Sequence, residues 1–198
     1  MKARTAVVLL AALALAIAGA PAHAHGGHHE LVRKSAPAQG GDFTLQSAKG
    51  PVSLSGLRGK VVAIYFSYLG CPDICPVYLA AVAQALKSLP VADAAQVQPV
   101  FVTLDPERDT AQALAEYSAA FHPSMIGLTG TSAGIAAVAR AYGVLSKRHP
   151  AKDGGYAIDH SSMLMVVGPD GRLVERLPYN ASVQRIAEAL KRALKTAR

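Results

Sequence analysis

The segment best equipped for chemistry in this 198-residue chain is Cys71-Pro-Asp-Ile-Cys75-Pro76, which holds both of its cysteines. A proline follows each cysteine and disfavours α conformation in the residue before it. Pro76 suits the first position of a helix. The spacing predicts Cys71 in a strand-to-helix loop and Cys75 at the helix N-terminus. The positive end of that helix favours thiolate, the form needed both for redox exchange and for holding a soft metal. A plain disulfide or a pair of core thiols is the alternative. Two cysteines are too few for a four-thiolate zinc site or a disulfide-stapled miniprotein.

Histidines supply the remaining chemistry. His160 lies in Asp159-His160-Ser161-Ser162, directly before the apolar run Met163–Val167. Asp159 is placed to hydrogen-bond the ring nitrogen of His160 that faces away from a metal. Asp73, between the cysteines, is placed to tune their thiolates or contact a partner, and a solvated loop carboxylate is its alternative. His23, His25, His28 and His29 form a second cluster near the N-terminus. That cluster predicts an accessory, weaker Cu(II) site, with a chance cluster in a disordered tail as its alternative. A chain starting at His23 would offer an amine, two amides and the His25 ring for square-planar coordination.

Several elements must position these groups. Phe43/Leu45 and Val52/Leu54 alternate around Ala48-Lys49-Gly50-Pro51, which predicts a hairpin. Val61–Phe66 and Val97–Leu104 are continuous apolar runs, expected of strands buried on both faces. Leu79, Val82, Leu86 and Leu89 mark a helix after the cysteines. Leu114, Tyr117 and Phe121 mark a second helix, which Asp109 and Gln112 would open as a capping box. Ile135, Val138 and Tyr142 mark a third, ending at Gly143. Ser146 to Gly155 reads as a polar loop whose Lys147, Arg148 and Lys152 would steer an acidic partner. Leu164–Val167 and Leu173–Leu177 flank Gly168-Pro-Asp-Gly171, a hairpin signal. Ser182 caps a last amphipathic helix carrying Val183, Ile186, Leu190 and Leu194.

This order predicts an α/β fold, a thioredoxin-like mixed sheet covered by helices on both faces, with an N-terminal hairpin extension. In that plan the loop bearing His160 lies beside the loop bearing the cysteines. Two thiolates and one imidazole make a soft three-coordinate site suited to Cu(I) and adaptable to Cu(II). Zinc would require a fourth ligand or water.

Residues 1–24 read as an export signal. Lys2 and Arg4 precede the apolar run Ala6–Ala20, which is short for a membrane span. Cleavage is expected after Ala22 or Ala24, leaving a His-rich tail and linker over 25–40 and the folded domain over 41–198. The expected location is the bacterial periplasm, with an uncleaved inner-membrane anchor as the alternative. No cysteine follows the apolar run, which argues against a lipoprotein, and the run lacks the Arg/Ser-rich amphipathic pattern of a mitochondrial presequence. The formal net charge of +7 is spread along the chain with no basic stripe of interleaved aromatics, so nucleic acid is not an expected partner.

Three ordered segments carry a family resemblance: Gly70-Cys-Pro-Asp-Ile-Cys-Pro76, Thr103-Leu-Asp-Pro-Glu-Arg-Asp-Thr110, and Tyr156-Ala-Ile-Asp-His-Ser-Ser-Met-Leu-Met-Val-Val-Gly-Pro-Asp-Gly171. They resemble the motifs of the SCO/SenC family, exported thioredoxin-fold copper proteins that help assemble the copper centre of cytochrome c oxidase. The resemblance implies that Cys71, Cys75 and His160 bind copper, and that Cys71 and Cys75 also form a redox disulfide. It implies a binding and delivery module rather than an enzyme. The implied partner is the copper-site subunit of the oxidase, with other copper chaperones or thiol reductants as further partners. A thiol–disulfide oxidoreductase that keeps partner cysteines reduced is the second reading. A peroxiredoxin-like peroxidase is disfavoured, because Tyr68 stands where its Thr or Ser would lie.

Overall fold

A computed structural model describes residues 39–72, 74–151 and 154–196. The expected signal segment, the tail histidines His23, His25, His28 and His29, and also Asp73 and Lys152, lie outside the described residues.

The chain opens with an antiparallel hairpin, β1 (Thr44–Ser47) and β2 (Gly50–Ser53). The central strand β3 (Val61–Ser67) is buried along its whole length. Helix α1 (Ile74–Lys87) and a single turn α2 (Val91–Ala94) lead to β4 (Val97–Thr103). Helix α3 (Ala111–Phe121), β5 (Ile126–Leu128) and helix α4 (Ser132–Ala141) follow. Two ribbon strands, β6 (Ser146–Pro150) and β7 (Tyr156–His160), precede β8 (Met163–Val167), β9 (Leu173–Pro178) and α5 (Val183–Lys195).

The main sheet has the order β5-β4-β3-β8-β9. β3 runs parallel to β4 and antiparallel to β8, so the sheet is mixed. Successive residues of a strand face opposite sides, and β3 divides accordingly. Val61, Ala63 and Tyr65 pack with α1 and α5, while Val62, Ile64 and Phe66 pack with α4 and the β1–β2 hairpin. The fold is the thioredoxin-like arrangement expected, although on the second face the hairpin shares the covering with α4. Among the described residues, no helix is long and apolar enough to cross a membrane.

Four details differ from the sequence expectation. Residues 146–150 are not loop: they form β6, in an antiparallel ribbon pairing Ser146 with His160 and Pro150 with Tyr156, and of the expected loop Ala151, Gly154 and Gly155 lie outside the strands. Most of β6 is exposed, so no apolar alternation marks it. Arg148, expected to steer a partner, is instead paired with Glu107 at 2.8 Å. Helix α1 begins at Ile74, so Pro76 is its third residue rather than its first; the first turn tolerates it because its missing N–H would have no helical partner there. The short strand β5 carries no periodicity over three residues. It lies so close to α3 that a Cβ on Gly127 would meet the Leu114 carbonyl oxygen at 2.6 Å.

The fourth correction concerns Asp109. Thr110 caps α3, its hydroxyl accepting from the Ala113 amide. Asp109 is 4% exposed and faces inward. Its carboxylate accepts from the Leu69 amide at 3.0 Å and from the Thr103 hydroxyl at 2.5 Å. Burial pushes its pKa up against the opposing effect of these two donors. Asp109 therefore ties the segment leading to Cys71 onto the end of β4. Asp109→Ala would strand the buried Thr103 hydroxyl and the partly buried Leu69 amide, an expected loss of about 2 kcal/mol. Asp109→Asn, which keeps an acceptor oxygen, should lose less. Urea unfolding of the two variants beside wild type checks both the size and the order.

Candidate metal centre

Cys71 and Cys75 arrive from the C-terminal end of β3. The chain turns after Ser67, with the Cys71 amide donating to the Tyr68 carbonyl at 3.2 Å. Cys75 lies in the first turn of α1 and is 1% exposed. The two sulfurs are joined as a disulfide.

His160 arrives from the opposite direction, as the last residue of β7. Only Ser161 and Ser162 separate it from β8, whose pairing with β3 sets Leu164 beside Tyr65. That register carries His160 past the end of β3, to the level of the cysteine loop. Its Nε2 lies 3.8 Å from Cys75 Sγ. One donor atom from each of Cys71, Cys75 and His160 falls within 4.8 Å of the others. Burial lowers the His160 pKa, so its ring stays neutral, the state in which a nitrogen lone pair can bind a metal. Two sulfurs and a neutral imidazole form a soft donor set.

Asp159 does not serve His160. Neighbouring strand residues point to opposite faces, and Asp159 turns outward, with a carboxylate oxygen 2.8 Å from His149 Nε2. The groups near His160 Nδ1 are the Ser161 carbonyl and the Ser162 hydroxyl, each at 3.4 Å.

Sequence reasoning did not single out the aromatic residue against the imidazole. Tyr68 is 5% exposed. Its ring stands edge-on to His160 at 6.1 Å between centroids, and its hydroxyl accepts from the Ile158 amide at 3.3 Å. The signal available in the sequence was position alone, three residues before Cys71. Two apolar side chains on the first turns of α1, Ile74 and Val77, are 50% and 72% exposed beside the cysteines.

Comparison with known proteins agrees with this geometry. A family model described as SCO1/SenC matches residues 32–195. The mitochondrial SCO2 homologue of Mus musculus is 39% identical over 166 residues, which is 82% of this chain and 65% of that protein. The chain spans about two thirds or less of the length of the first curated relatives it matches, down to 46% for an Arabidopsis thaliana SCO1 homologue. Among solved structures, Arabidopsis thaliana ScoI with copper bound is 35% identical, with a TM-score of 0.74 and coverage of 79% of this chain and 98% of that one. Bradyrhizobium japonicum ScoI with copper bound is 37% identical, with a TM-score of 0.71 over 78% and 99%. BsSco, described as a member of the Sco family of cytochrome c oxidase assembly proteins with a disulfide switch, is 26% identical, with a TM-score of 0.65 over 81% and 97%. With most of its length matched by the family model and its cysteine and histidine donors gathered at one end of the sheet, the chain belongs to the SCO1/SenC family.

Proposed function

We propose that this protein binds copper through Cys71, Cys75 and His160 and delivers it to the copper-site subunit of cytochrome c oxidase during assembly. The observation that carries the reading is the convergence of two sulfurs and one imidazole nitrogen within 4.8 Å, from two separate parts of the chain. The chemistry of the set fits copper in both oxidation states: sulfur favours Cu(I), and the imidazole accommodates Cu(II). Copper is cargo here, so the site must also release it. The exposed Ile74 and Val77 offer a partner an apolar rim next to the thiols.

The remaining parts of the reading follow from the sequence. Residues 1–24 are an export signal and 25–40 a His-rich linker, placing the domain over 41–198 in the bacterial periplasm. His23, His25, His28 and His29 form a weaker Cu(II) site that gathers metal. Asp73 tunes the thiols between which it stands.

A second reading, thiol–disulfide exchange with a partner's cysteines, rests on the Cys71–Cys75 disulfide. His160 separates the two. Metal analysis of the reduced mature protein loaded with Cu(I), weakly held metal having been dialysed away, should find one copper per chain. His160→Ala should weaken that binding about 10- to 100-fold, in line with losing one ligand or its support, while leaving thiol exchange with a model disulfide near the wild-type rate. Copper binding indifferent to His160→Ala, with exchange impaired, would favour the oxidoreductase.

A further inference from the structure

Among the described residues, the ribbon that ends in His160 is not paired into the five-stranded sheet; its strands β6 and β7 pair with each other. Other contacts must therefore hold its inner face to the domain. Along β7 that face is Tyr156, Ile158 and His160, since alternate residues share a side. Ile158 is buried, while Ala157 and Asp159 are exposed.

Tyr156 is gripped at several points. Its hydroxyl donates to Asp105 Oδ1 at 2.6 Å. Its carbonyl accepts from Arg108 Nη1 at 3.0 Å. Two guanidinium groups lie over its ring, Arg108 at 3.8 Å and Arg148 at 4.6 Å from the centroid, a favourable arrangement for a cation on an aromatic face. Asp105, whose side chain is fully buried, is also ion-paired with Arg108. Arg108 approaches Tyr68 as well, 6.0 Å from its ring centroid. The turn between β4 and α3 thus holds both halves of the metal centre. Asp109 grips the cysteine segment through the Leu69 amide, and Asp105 with Arg108 grips the histidine strand through Tyr156.

We infer that Tyr156 is a positioning residue for His160: fastened to Asp105, Arg108 and Arg148, it sets where β7 delivers the imidazole relative to the thiols. The inference rests on His160 being a copper ligand. Tyr156 lies four strand residues before His160, roughly 13 Å away at the rise of an extended chain, so it acts only through the strand.

The test uses the mature protein with the tail histidines His23, His25, His28 and His29 replaced by Ala, so that they offer Cu(II) no competing nitrogen, and on that background Tyr156→Leu, Tyr156→Phe and His160→Ala. Reduced samples are titrated with Cu(II), with affinity and the nitrogen hyperfine coupling in the electron paramagnetic resonance spectrum as readouts. Amide hydrogen exchange of the metal-free form is measured in parallel. Tyr156→Leu should lower affinity about tenfold, reduce the nitrogen coupling, and speed exchange at Ile158 and Ser161 while leaving β3 and α1 protected. Tyr156→Phe, which keeps the ring under the guanidiniums and loses the bond to Asp105, should fall between it and wild type. It carries the test if the leucine variant does not fold. Wild-type affinity and nitrogen coupling in both Tyr156 variants, with His160→Ala losing both, would overturn the positioning role and leave the ligand assignment standing. Wild-type spectra in His160→Ala would overturn the ligand assignment, and the inference with it.

Discussion

Replacing both cysteines, as Cys71→Ala/Cys75→Ala, is expected to abolish tight Cu(I) binding while leaving the domain folded. An imidazole alone is a poor match for a soft monovalent cation, and the two sulfurs are the only thiol donors in the chain. We expect a loss of at least about a thousandfold in affinity, which is about 4 kcal/mol. Stability should suffer far less, because each change to Ala removes only a single sulfur atom. Cys71 packs partly exposed against the edge of the core, and Cys75, although 1% exposed within the core, is one of its smallest side chains. Removing the disulfide would lower the stability of the oxidised form, but its five-residue loop is short, and short loops contribute least. Competition titration against a Cu(I) chelator measures the first effect and thermal unfolding of reduced protein the second. Full copper stoichiometry in the double variant would place the site elsewhere.

The longer elements that bury apolar residues were legible in the sequence; the three-residue β5 was not, nor were features that use polar side chains across long separations. Val61–Phe66 reads as a strand because every residue is apolar and both faces are covered. The β8–β9 hairpin reads from Gly168-Pro-Asp-Gly171. By contrast, β6 has the sequence Ser-Lys-Arg-His-Pro and lies mostly in solvent, so its strand character comes only from pairing with β7. Asp109 satisfies a local capping pattern, yet its carboxylate bonds to Leu69, 40 residues earlier. Nothing local distinguishes the two uses. The same holds for Asp159, whose orientation depends on the strand register, and for Tyr156, whose partner Asp105 is 51 residues away.

The candidate site divides along the same line. The cysteine spacing and the flanking prolines announce the sulfur half on their own. The juxtaposition of His160 needed the fold, because it depends on β8 pairing antiparallel with β3 rather than on any spacing. The Asp105–Arg108–Tyr156 cluster lies inside the second and third recognisable motifs, so these motifs hold supporting residues as well as donors, whereas Tyr68 stands two residues before the first. The Asp-Pro-Glu-Arg-Asp turn contributes no donor to the centre. Its two aspartates bind, respectively, the strand carrying the histidine and the segment carrying the cysteines.

Oxidation of the cysteines is expected to expel the metal, and metal in turn to hold the cysteines reduced. Forming the disulfide takes two electrons and two protons from the thiols, and it removes the thiolates that metal ligation requires. Binding only to the reduced state is a linkage with a calculable size. A metal at about 100 times its dissociation constant stabilises the state it binds by about 2.7 kcal/mol. For a two-electron couple this raises the midpoint potential by about 60 mV. The sign is fixed: ligand binds the reduced form, so reduction becomes easier and the potential more positive. Ag(I) is the suitable probe, being soft and monovalent like Cu(I) but inert to the thiol couple under these conditions. Redox titration of the mature protein with thiol-free electrochemical mediators, with and without Ag(I), should give that displacement, and His160→Ala should reduce it at the same Ag(I) concentration by weakening the binding. An unchanged midpoint in the presence of Ag(I) shown to bind the reduced form would mean that disulfide and metal coexist. The cysteines would then not both be ligands.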